Sequence, residues 1–164
     1  MTTLRCDMVT VLVLRRNSPE PEFLQLRRAP DPTGRRLGVG LWQPVMGAIE
    51  PGETAPHAAS RELCEEIGLD VTSDQCVNWW SINRVRPFYC SARDAVFLGP
   101  AFAAEVSLAW SPRLNEEHDA FRWVAHRDVR NTFMWPDQID ACDEIVDFLL
   151  RPGSTAEAAL RLPR

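Results

Sequence analysis

The sequence predicts an α/β or α+β fold, a sandwich in which helices flank a mixed β-sheet. Several segments have the Val- and Leu-rich or alternating pattern of strands, and two have apolar residues at helical spacing. A chain of 164 residues has the length of one domain with a real hydrophobic core. We expect a single domain over residues 1–151 and a loose C-terminal tail at 152–164, where Pro, Gly and Ser cluster.

The first part of the chain alternates strand signals with turn signals. Residues 5–16 are rich in Val and Leu, and residues 22–28 alternate as a half-buried strand does. Prolines make 17–21 the turn between these strands, and prolines and glycines make 29–41 a loop. A short strand is expected at 42–50, before a Pro-Gly turn.

Two segments have the signals of helices. Over 54–68, Thr54 serves as a cap, Pro56 falls in the first turn, where proline is tolerated, and Gly68 ends the helix. Over 136–150, apolar residues recur at helical spacing. Three further strands are expected between the two helices, at 77–86, 94–107 and 119–126.

Composition and charge exclude several classes of protein. A net charge of −5 argues against a broad nucleic-acid-binding surface. The N-terminal apolar run, Met8 to Leu14, is too short for a membrane span and does not have the form of a signal peptide. Five cysteines without a CxxC pair are typical of a reducing compartment, so we expect a cytoplasmic protein. All 18 basic residues are Arg, a side chain suited to binding phosphate.

Three glutamates of the first helix share one face. Glu62, Glu65 and Glu66 fall within an arc of about 100° on a helical wheel, beside an apolar arc that would pack on the sheet. Like charges four residues apart repel each other, and a hard divalent cation such as Mg²⁺ would remove that repulsion. A solvated acidic face is the plain structural alternative for these three residues alone.

The spacing around these acids resembles the Nudix box, G-x5-E-x7-R-E-U-x-E-E-x-G-U, in which U is aliphatic. Every defined position is filled, and a loop–helix–loop context is predicted around it. The resemblance implies a Nudix-type α/β/α sandwich and hydrolysis of a nucleoside diphosphate linked to another group. The matching residues are Gly47, Glu53, Arg61, Glu62, Leu63, Glu65, Glu66, Gly68 and Leu69.

The Nudix resemblance also implies a metal site. In that family the box glutamates hold one to three Mg²⁺ or Mn²⁺ ions, so Glu62 and Glu66 are the expected ligands and Glu65 a third. The carbonyl oxygen of Gly47 or Ala48 would add another ligand. The metal would neutralise substrate phosphates and activate a water for in-line attack on phosphorus.

Two further catalytic roles follow from the same resemblance. Arg61 would pair with Glu53 and hold the loop against the helix, and an ordinary surface ion pair is the alternative. A general base must remove a proton from the attacking water. Glu62 and Glu117 are both candidates for that base, and the sequence does not choose between them.

Segments outside the box resemble one subgroup, the bacterial dihydroneopterin triphosphate pyrophosphatases. The stretch from Trp42 to Glu50 is similar to W-Q-x-V-x-G-x-[IV]-E, and that from Glu117 to Trp123 is similar to E-H-x-A-[YF]-[KR]-W. The resemblance implies release of pyrophosphate from dihydroneopterin triphosphate, with Glu117 as an additional metal ligand.

A triphosphate attached to a flat ring needs cations and aromatic side chains. Several arginines at predicted strand ends would reach phosphates, and tryptophans would stack on the ring, although Trp79 and Trp80 fit a hydrophobic core as well. Of the histidines, His57 is expected to face solvent and His118 to orient Glu117. The candidate substrate-binding residues are Arg27, Arg28, Trp42, Gln43, Arg84 and Trp135.

Other functions stay open. Within the enzymes, these are a house-cleaning (d)NTP pyrophosphatase and a hydrolase of a nucleotide sugar or ADP-ribose. Outside the enzymes, they are a non-catalytic Nudix ligand-binding module and an acidic protein-interaction domain. The expected partner is a small di- or triphosphate, without nucleic acid or membrane, and a homodimer is an open possibility.

Overall fold

The computed structural model describes residues 1–17, 19–30 and 38–163 of the chain. Within them, the α-helices are α1 (Ala55–Ile67), α2 (Pro136–Glu144) and α3 (Thr155–Ala159), and Ile145–Leu149 extends α2 as a π-helical turn. The strands form one sheet: β1 (Thr3–Arg5), β2 (Met8–Arg15), β3 (Glu22–Arg28), β4 (Trp42–Gln43), β5 (Val45–Ala48), β6 (Cys76–Cys90), β7 (Ala95–Val106) and β8 (His118–Ala125).

The sheet is mixed, as the sequence predicts. Strand β7 runs parallel to β1 and β2 and antiparallel to β6. Strand β2 is antiparallel to β3 and β5, and β3 is antiparallel to β4 and β8. This pairing places β5, the strand that precedes α1 in the chain, next to β2, and it places β8 next to β3.

Each face of the sheet is covered by a helix, which confirms the predicted sandwich. On the face covered by α1, Val11 of β2 and Leu24 of β3 pack with Leu63 of the helix. On the face covered by α2, the neighbouring residues Leu12 and Phe23 pack with apolar residues of α2 and its π-helical turn. The alternation of side chains along each strand therefore sorts residues between the two cores.

Two predicted strands differ in detail, and one predicted loop lies partly outside the described residues. The strand expected at 5–16 is two strands, because β1 and β2 pair with separate parts of β7. The strand expected at 42–50 is also two, interrupted at Pro44, which has no backbone N–H for the sheet. Of the predicted loop at 29–41, residues 31–37 lie outside the described part of the chain.

The prediction that the C-terminal segment is loose is wrong. The backbone N–H of Leu162 donates to the carbonyl of Trp79 at 2.9 Å, and that of Ser81 donates to the carbonyl of Leu160 at 3.0 Å. The segment also contains α3, and the indole of Trp80 donates to the carbonyl of Glu157. These bonds cover the outer edge of β6, whose backbone groups need partners. The domain boundary at residue 151 stays a prediction.

Two further observations bear on expectations from composition. None of the described helices is long and apolar enough to cross a membrane. None of the five cysteines, all of which lie in the described part of the chain, forms a disulfide.

Candidate functional site

Helix α1 is fixed at both ends by the residues that the sequence indicates. The hydroxyl of Thr54 accepts a hydrogen bond from the backbone N–H of His57 at 3.4 Å. At the other end Gly68 has a φ of 69°, in the left-handed region that favours glycine, and its N–H donates to the carbonyl of Cys64. The apolar face, which includes Leu63 and Ile67, is buried against the sheet. The acidic face is thereby held beside β5.

Gly47 of β5 lies against the carboxylate of Glu62. A Cβ atom at position 47 would lie 1.9 Å from the carboxyl carbon of Glu62 and 2.0 Å from its Oε1. No real Cβ can approach so closely, so only glycine leaves room for this carboxylate. The glycine of the box is therefore explained by the space that Glu62 occupies.

Glu66 is the most buried acid of the helix, with 3% of its surface exposed. Its Oε2 atom is buried and accepts no hydrogen bond within the described residues. Burial raises the pKa of Glu66 well above its ordinary value, and the nearby charges of Glu62 and Glu117 raise it further. A backbone hydrogen bond from Met46 opposes the shift. A buried carboxylate with an unsatisfied oxygen is costly unless it gains a cationic partner.

Glu62, Glu66 and Glu117 form what we call the acid pocket. Burial is also the main cause that raises the pKa of Glu62, and the charges of Glu65 and Glu117 add to it. Glu117, from the loop before β8, is close enough to act on both helix acids. The predicted convergence of this loop glutamate with the helix is therefore present in the structure.

Arg61 joins the helix to the preceding loop, and we call its interactions the arginine clamp. Its Nε and Nη2 atoms donate to the two carboxylate oxygens of Glu53, each at 3.1 Å. Nη2 also donates to the carbonyl of Ala48 at 2.8 Å. Nη1 donates to Glu62 at 2.8 Å and to Glu65 at 3.1 Å. The Arg61–Glu53 pair expected from the box is present, and it reaches two further acids.

The electrostatics of the clamp are opposite to those of the acid pocket. The bidentate hydrogen bonds from Arg61, helped by the backbone N–H of Glu50, lower the pKa of Glu53 to about 2. The same carboxylate raises the pKa of Arg61. The exposed ring of His57 lies 3.0 Å from Glu53, on the outer side of the clamp, so its expected exposure is confirmed.

Besides Arg61, a second cation that the sequence singles out, Arg28, lies at the acid pocket. Its Nη2 atom lies 3.4 Å from Glu117 Oε2, and its charge lowers the pKa of Glu66. Its Nε atom is buried without a hydrogen-bond partner in the described part of the chain. Arg28 therefore has a donor left for an anionic group of a ligand.

The acids fit a hard divalent cation in their chemistry. Among the described residues, no three His, Cys, Asp or Glu side chains are gathered as a preformed metal cluster. Two of the box glutamates, Glu62 and Glu65, accept hydrogen bonds from Arg61 instead. The unsatisfied oxygen of Glu66 and the space beside Gly47 that accommodates Glu62 are what a carboxylate-ligated Mg²⁺ or Mn²⁺ requires.

His118 faces a different acid from the one expected. Its side chain is fully buried, and its Nδ1 atom lies 3.8 Å from Glu66 Oε2. Its Nε2 atom lies 3.4 Å from Nε2 of Gln43. The contacts of the ring nitrogens therefore link Gln43, a candidate substrate-binding residue, to a candidate metal ligand.

Arg27 and Trp42 lie on the other face of the sheet. Side chains alternate along β3, so Arg28 shares the α1 face with Leu26, and Arg27 shares the α2 face with Phe23. Arg27 is paired with Asp119 at 2.6 Å. The guanidinium of Arg122 stacks over the Trp42 ring, 4.0 Å from its centre, and that of Arg27 is 5.9 Å away. One arginine that the sequence did not single out, Arg122, thus covers the ring expected to stack on substrate.

Arg84 departs from expectation, and two of the tryptophans take the core position that the sequence left open. Arg84 forms ion pairs with Glu144 and Asp140 of α2, so the structure does not bring it to the acid pocket. Trp80 is fully buried, and Trp79 is buried in a stack on Phe102, so both belong to the core. Trp135, half exposed at the start of α2, stays available to a ligand.

The position of Arg84 depends on an irregularity in the register of β6. Arg84 lies between Ile82 and Val85, where the pairing of β6 with β7 shifts. Such an irregularity changes the face to which a side chain points. It cannot be located from the alternation of one strand alone.

Comparison with known proteins gives a consistent family match. The model of the NUDIX domain matches residues 7–144. An octanoyltransferase of Myxococcus xanthus is 34% identical over 126 residues, which cover 71% of this chain and 30% of that protein. A dihydroneopterin triphosphate diphosphatase of Escherichia coli (strain K12) is 40% identical over 67 residues, covering 41% of this chain and 40% of that protein.

The chain thus spans less than half the length of these two curated relatives. Among solved structures, the dihydroneopterin triphosphate pyrophosphohydrolase of E. coli superposes with a TM-score of 0.70 at 24% identity. That match covers 85% of this chain and 93% of the other. At 24% identity this structural similarity shows the fold alone.

Proposed function

Because this chain belongs to the NUDIX domain family of hydrolases, we propose that it is a divalent-metal-dependent pyrophosphohydrolase. Its substrate would be dihydroneopterin triphosphate or a similar (d)NTP-like triphosphate, and it would release pyrophosphate. The proposal depends on one observation above all: Glu66 is buried with an unsatisfied oxygen, beside the acids Glu62 and Glu117.

The acid pocket would hold the metal through these three carboxylates. Glu65 is more exposed and is engaged by Arg61, so we assign it the outermost ligand position. Bound Mg²⁺ or Mn²⁺ would neutralise phosphate charge and lower the pKa of an attacking water.

The protein's own side chains account for binding and orientation. Arg28, with its free Nε donor beside Glu66, would bind a phosphate oxygen. The arginine clamp keeps Glu62 against Gly47 and the loop against the helix. A glutamate would accept a proton from the attacking water. The oxygen of that water would bond to phosphorus, and the anhydride oxygen would leave with pyrophosphate. Glu62 and Glu117 both remain candidates for that base.

The choice of substrate is supported by the partial match with the diphosphatase. The octanoyltransferase match spans less than a third of that protein, and we propose no acyl transfer. A cytoplasmic location, a single domain over 1–151 and a homodimer are further proposals, to be tested by cell fractionation, limited proteolysis and sedimentation.

Turnover of a substrate panel with Mg²⁺ tests the function. The panel should contain dihydroneopterin triphosphate, the common dNTPs, ADP-ribose and a nucleotide sugar, with products analysed in ¹⁸O-labelled water. We expect the highest kcat/KM for the pterin and label in the fragment whose phosphorus is attacked. Equal turnover of several dNTPs and none of the pterin would favour the house-cleaning alternative. Ligand binding without turnover of any compound would favour a non-catalytic module.

A further inference from the structure

A buried histidine stands behind the acid pocket. The imidazole of His118, at the start of β8, is shielded from solvent and has one nitrogen 3.8 Å from Glu66 Oε2. On the same face of the sheet, β3 pairs with both neighbours: Arg28 is opposite His118, and Leu26 is opposite Gln43. The sheet register therefore fixes Gln43 and His118 side by side beneath α1.

The second ring nitrogen decides which tautomer the imidazole adopts. Nε2 of His118 lies 3.4 Å from the amide nitrogen of Gln43, a group that can only donate. An imidazole nitrogen that accepts from Gln43 carries no proton, so in the neutral ring the proton resides on Nδ1. Nδ1 is the nitrogen that faces Glu66.

In the described part of the chain, the Glu66 carboxylate lacks a hydrogen-bond donor on the side that faces His118. Its Oε2 atom accepts no hydrogen bond within the described residues, although the side chain is almost completely buried. The separation of 3.8 Å exceeds a hydrogen bond by roughly 1 Å, a distance that a small rotation of the carboxylate covers. A hydrogen bond to one lone pair of Oε2 would fix the direction of the carboxylate and leave the second lone pair of that oxygen for the cation.

We propose that His118, held in one tautomer by Gln43, is a positioning residue that orients the Glu66 carboxylate toward the divalent cation. The inference rests on the proposed metal site. It assigns to Gln43 an indirect role through His118, in place of the direct substrate contact expected from the sequence. Residues that orient metal ligands from outside typically change metal affinity by about 10- to 100-fold when they are replaced.

Metal binding measured without substrate tests the proposal. Mn²⁺ affinity is determined by electron paramagnetic resonance of the free ion for the wild type and for two variants, His118→Leu and His118→Asn. The leucine variant has no donor, whereas the asparagine amide can place one near the position of Nδ1. We expect the dissociation constant to rise about 10-fold or more in His118→Leu and to stay within about 3-fold of the wild type in His118→Asn.

Two further variants separate positioning from packing. Phe121→Leu changes an exposed aromatic residue of the same strand and should leave Mn²⁺ affinity unchanged. Gln43→Leu removes the partner that fixes the tautomer and should weaken binding, though less than His118→Leu does. It also keeps the proposal testable if His118→Leu fails to fold.

The outcomes distinguish this inference from the proposed function. Wild-type affinity in both His118→Leu and Gln43→Leu would overturn the positioning role and leave the metal site intact. An equal loss of Mn²⁺ affinity in His118→Leu and His118→Asn would also overturn it, because the loss would then come from altered packing and not from a missing hydrogen-bond donor. Absence of Mn²⁺ binding by the wild type would instead contradict the proposed function itself.

Discussion

The arginine clamp and the acid pocket meet at helix α1 and both contain glutamates, yet their electrostatics are opposite. In the clamp, Glu53 has a bidentate partner in Arg61, and its pKa is lowered to about 2. In the pocket, burial raises the pKa of Glu66 well above its ordinary value. The carboxylate of Glu53 has its cationic partner within the protein, whereas the proposed function supplies the pocket's cation from outside.

This difference separates an acid that is paired within the fold from the acids proposed to bind the metal, although one sequence motif contains both kinds. An acid whose partner is built into the chain stabilises the fold, and its removal weakens the loop–helix junction. An acid buried among like charges destabilises the metal-free protein and gains a favourable partner only when a cation binds. The spacing of the motif does not distinguish Glu53 from Glu66. Their burial and their contacts do.

The largest effect is expected from Glu66→Gln. The change removes a proposed metal ligand. We expect kcat/KM to fall by more than about 100-fold, because the loss of a ligand should exceed the loss of a residue that only orients a ligand. Because the pKa of Glu66 is raised in the folded state, its ionisation costs stability as the pH rises above its ordinary value. Without metal, the glutamine variant should therefore resist urea better than the wild type at pH 7.5.

Two results would contradict that prediction. Retained activity would remove Glu66 from the metal site, and lower urea resistance would show that its carboxylate is satisfied within the protein. Glu53→Gln serves as the matched control, because it should weaken the metal-free protein at the same pH.

The next largest effect is expected from Gly47→Ala. The added methyl group would occupy the space of the Glu62 carboxylate and displace it by an ångström or more, a misplacement that costs about 100-fold in turnover. Overpacking should reduce the free energy of unfolding by about 1–3 kcal/mol. Met46→Leu, in the same strand, is the control and should leave turnover nearly unchanged; equal behaviour of the two variants would refute the assigned role of Gly47.

A smaller effect is expected from Arg61→Lys. Lysine keeps the charge but cannot make the fork of bonds to Glu53 and Ala48, so the free energy of unfolding should fall by about 2 kcal/mol. Arg127→Lys, at an exposed pair with Glu20, should change it by about 0.5 kcal/mol or less. Chemical denaturation of both variants makes the comparison, and equal losses would show that the clamp is no more than a surface ion pair.

The smallest effect is expected in the acid stability of Glu53→Gln. With a folded-state pKa near 2 and an ordinary value of 4.5, Glu53 contributes stability that is fully present above pH 4.5. That contribution is lost as the pH falls toward 2. Thermal melts from pH 6 to pH 2.5 should therefore show a shallower decline for the variant than for the wild type, and parallel curves would contradict the shift.

Local signals predict much of this fold. Thr54 and Gly68 bracket α1 as the structure has it, since capping depends on residues next to one another in sequence. The strand at Glu22–Arg28 follows from alternation for the same reason. The acids and Gly47 were found through their spacing in the box, although the spacing does not reveal why glycine is needed there.

What escaped prediction depends on contacts between distant segments. His118 reaches Glu66 only because β8 pairs with β3 under α1. Arg84 pairs with α2 because of the irregular register in β6. The C-terminal segment is held by hydrogen bonds to the open edge of that same strand. The composition of the segment itself does not reveal this pairing.

Anomalous diffraction from a crystal soaked in Mn²⁺ is the most direct test of the central claim. We expect a peak coordinated by carboxylate oxygens of Glu66 and Glu62, with Glu53 still bound to Arg61. A peak coordinated by Glu53, or well-ordered glutamates with no peak beside them at saturating Mn²⁺, would contradict it.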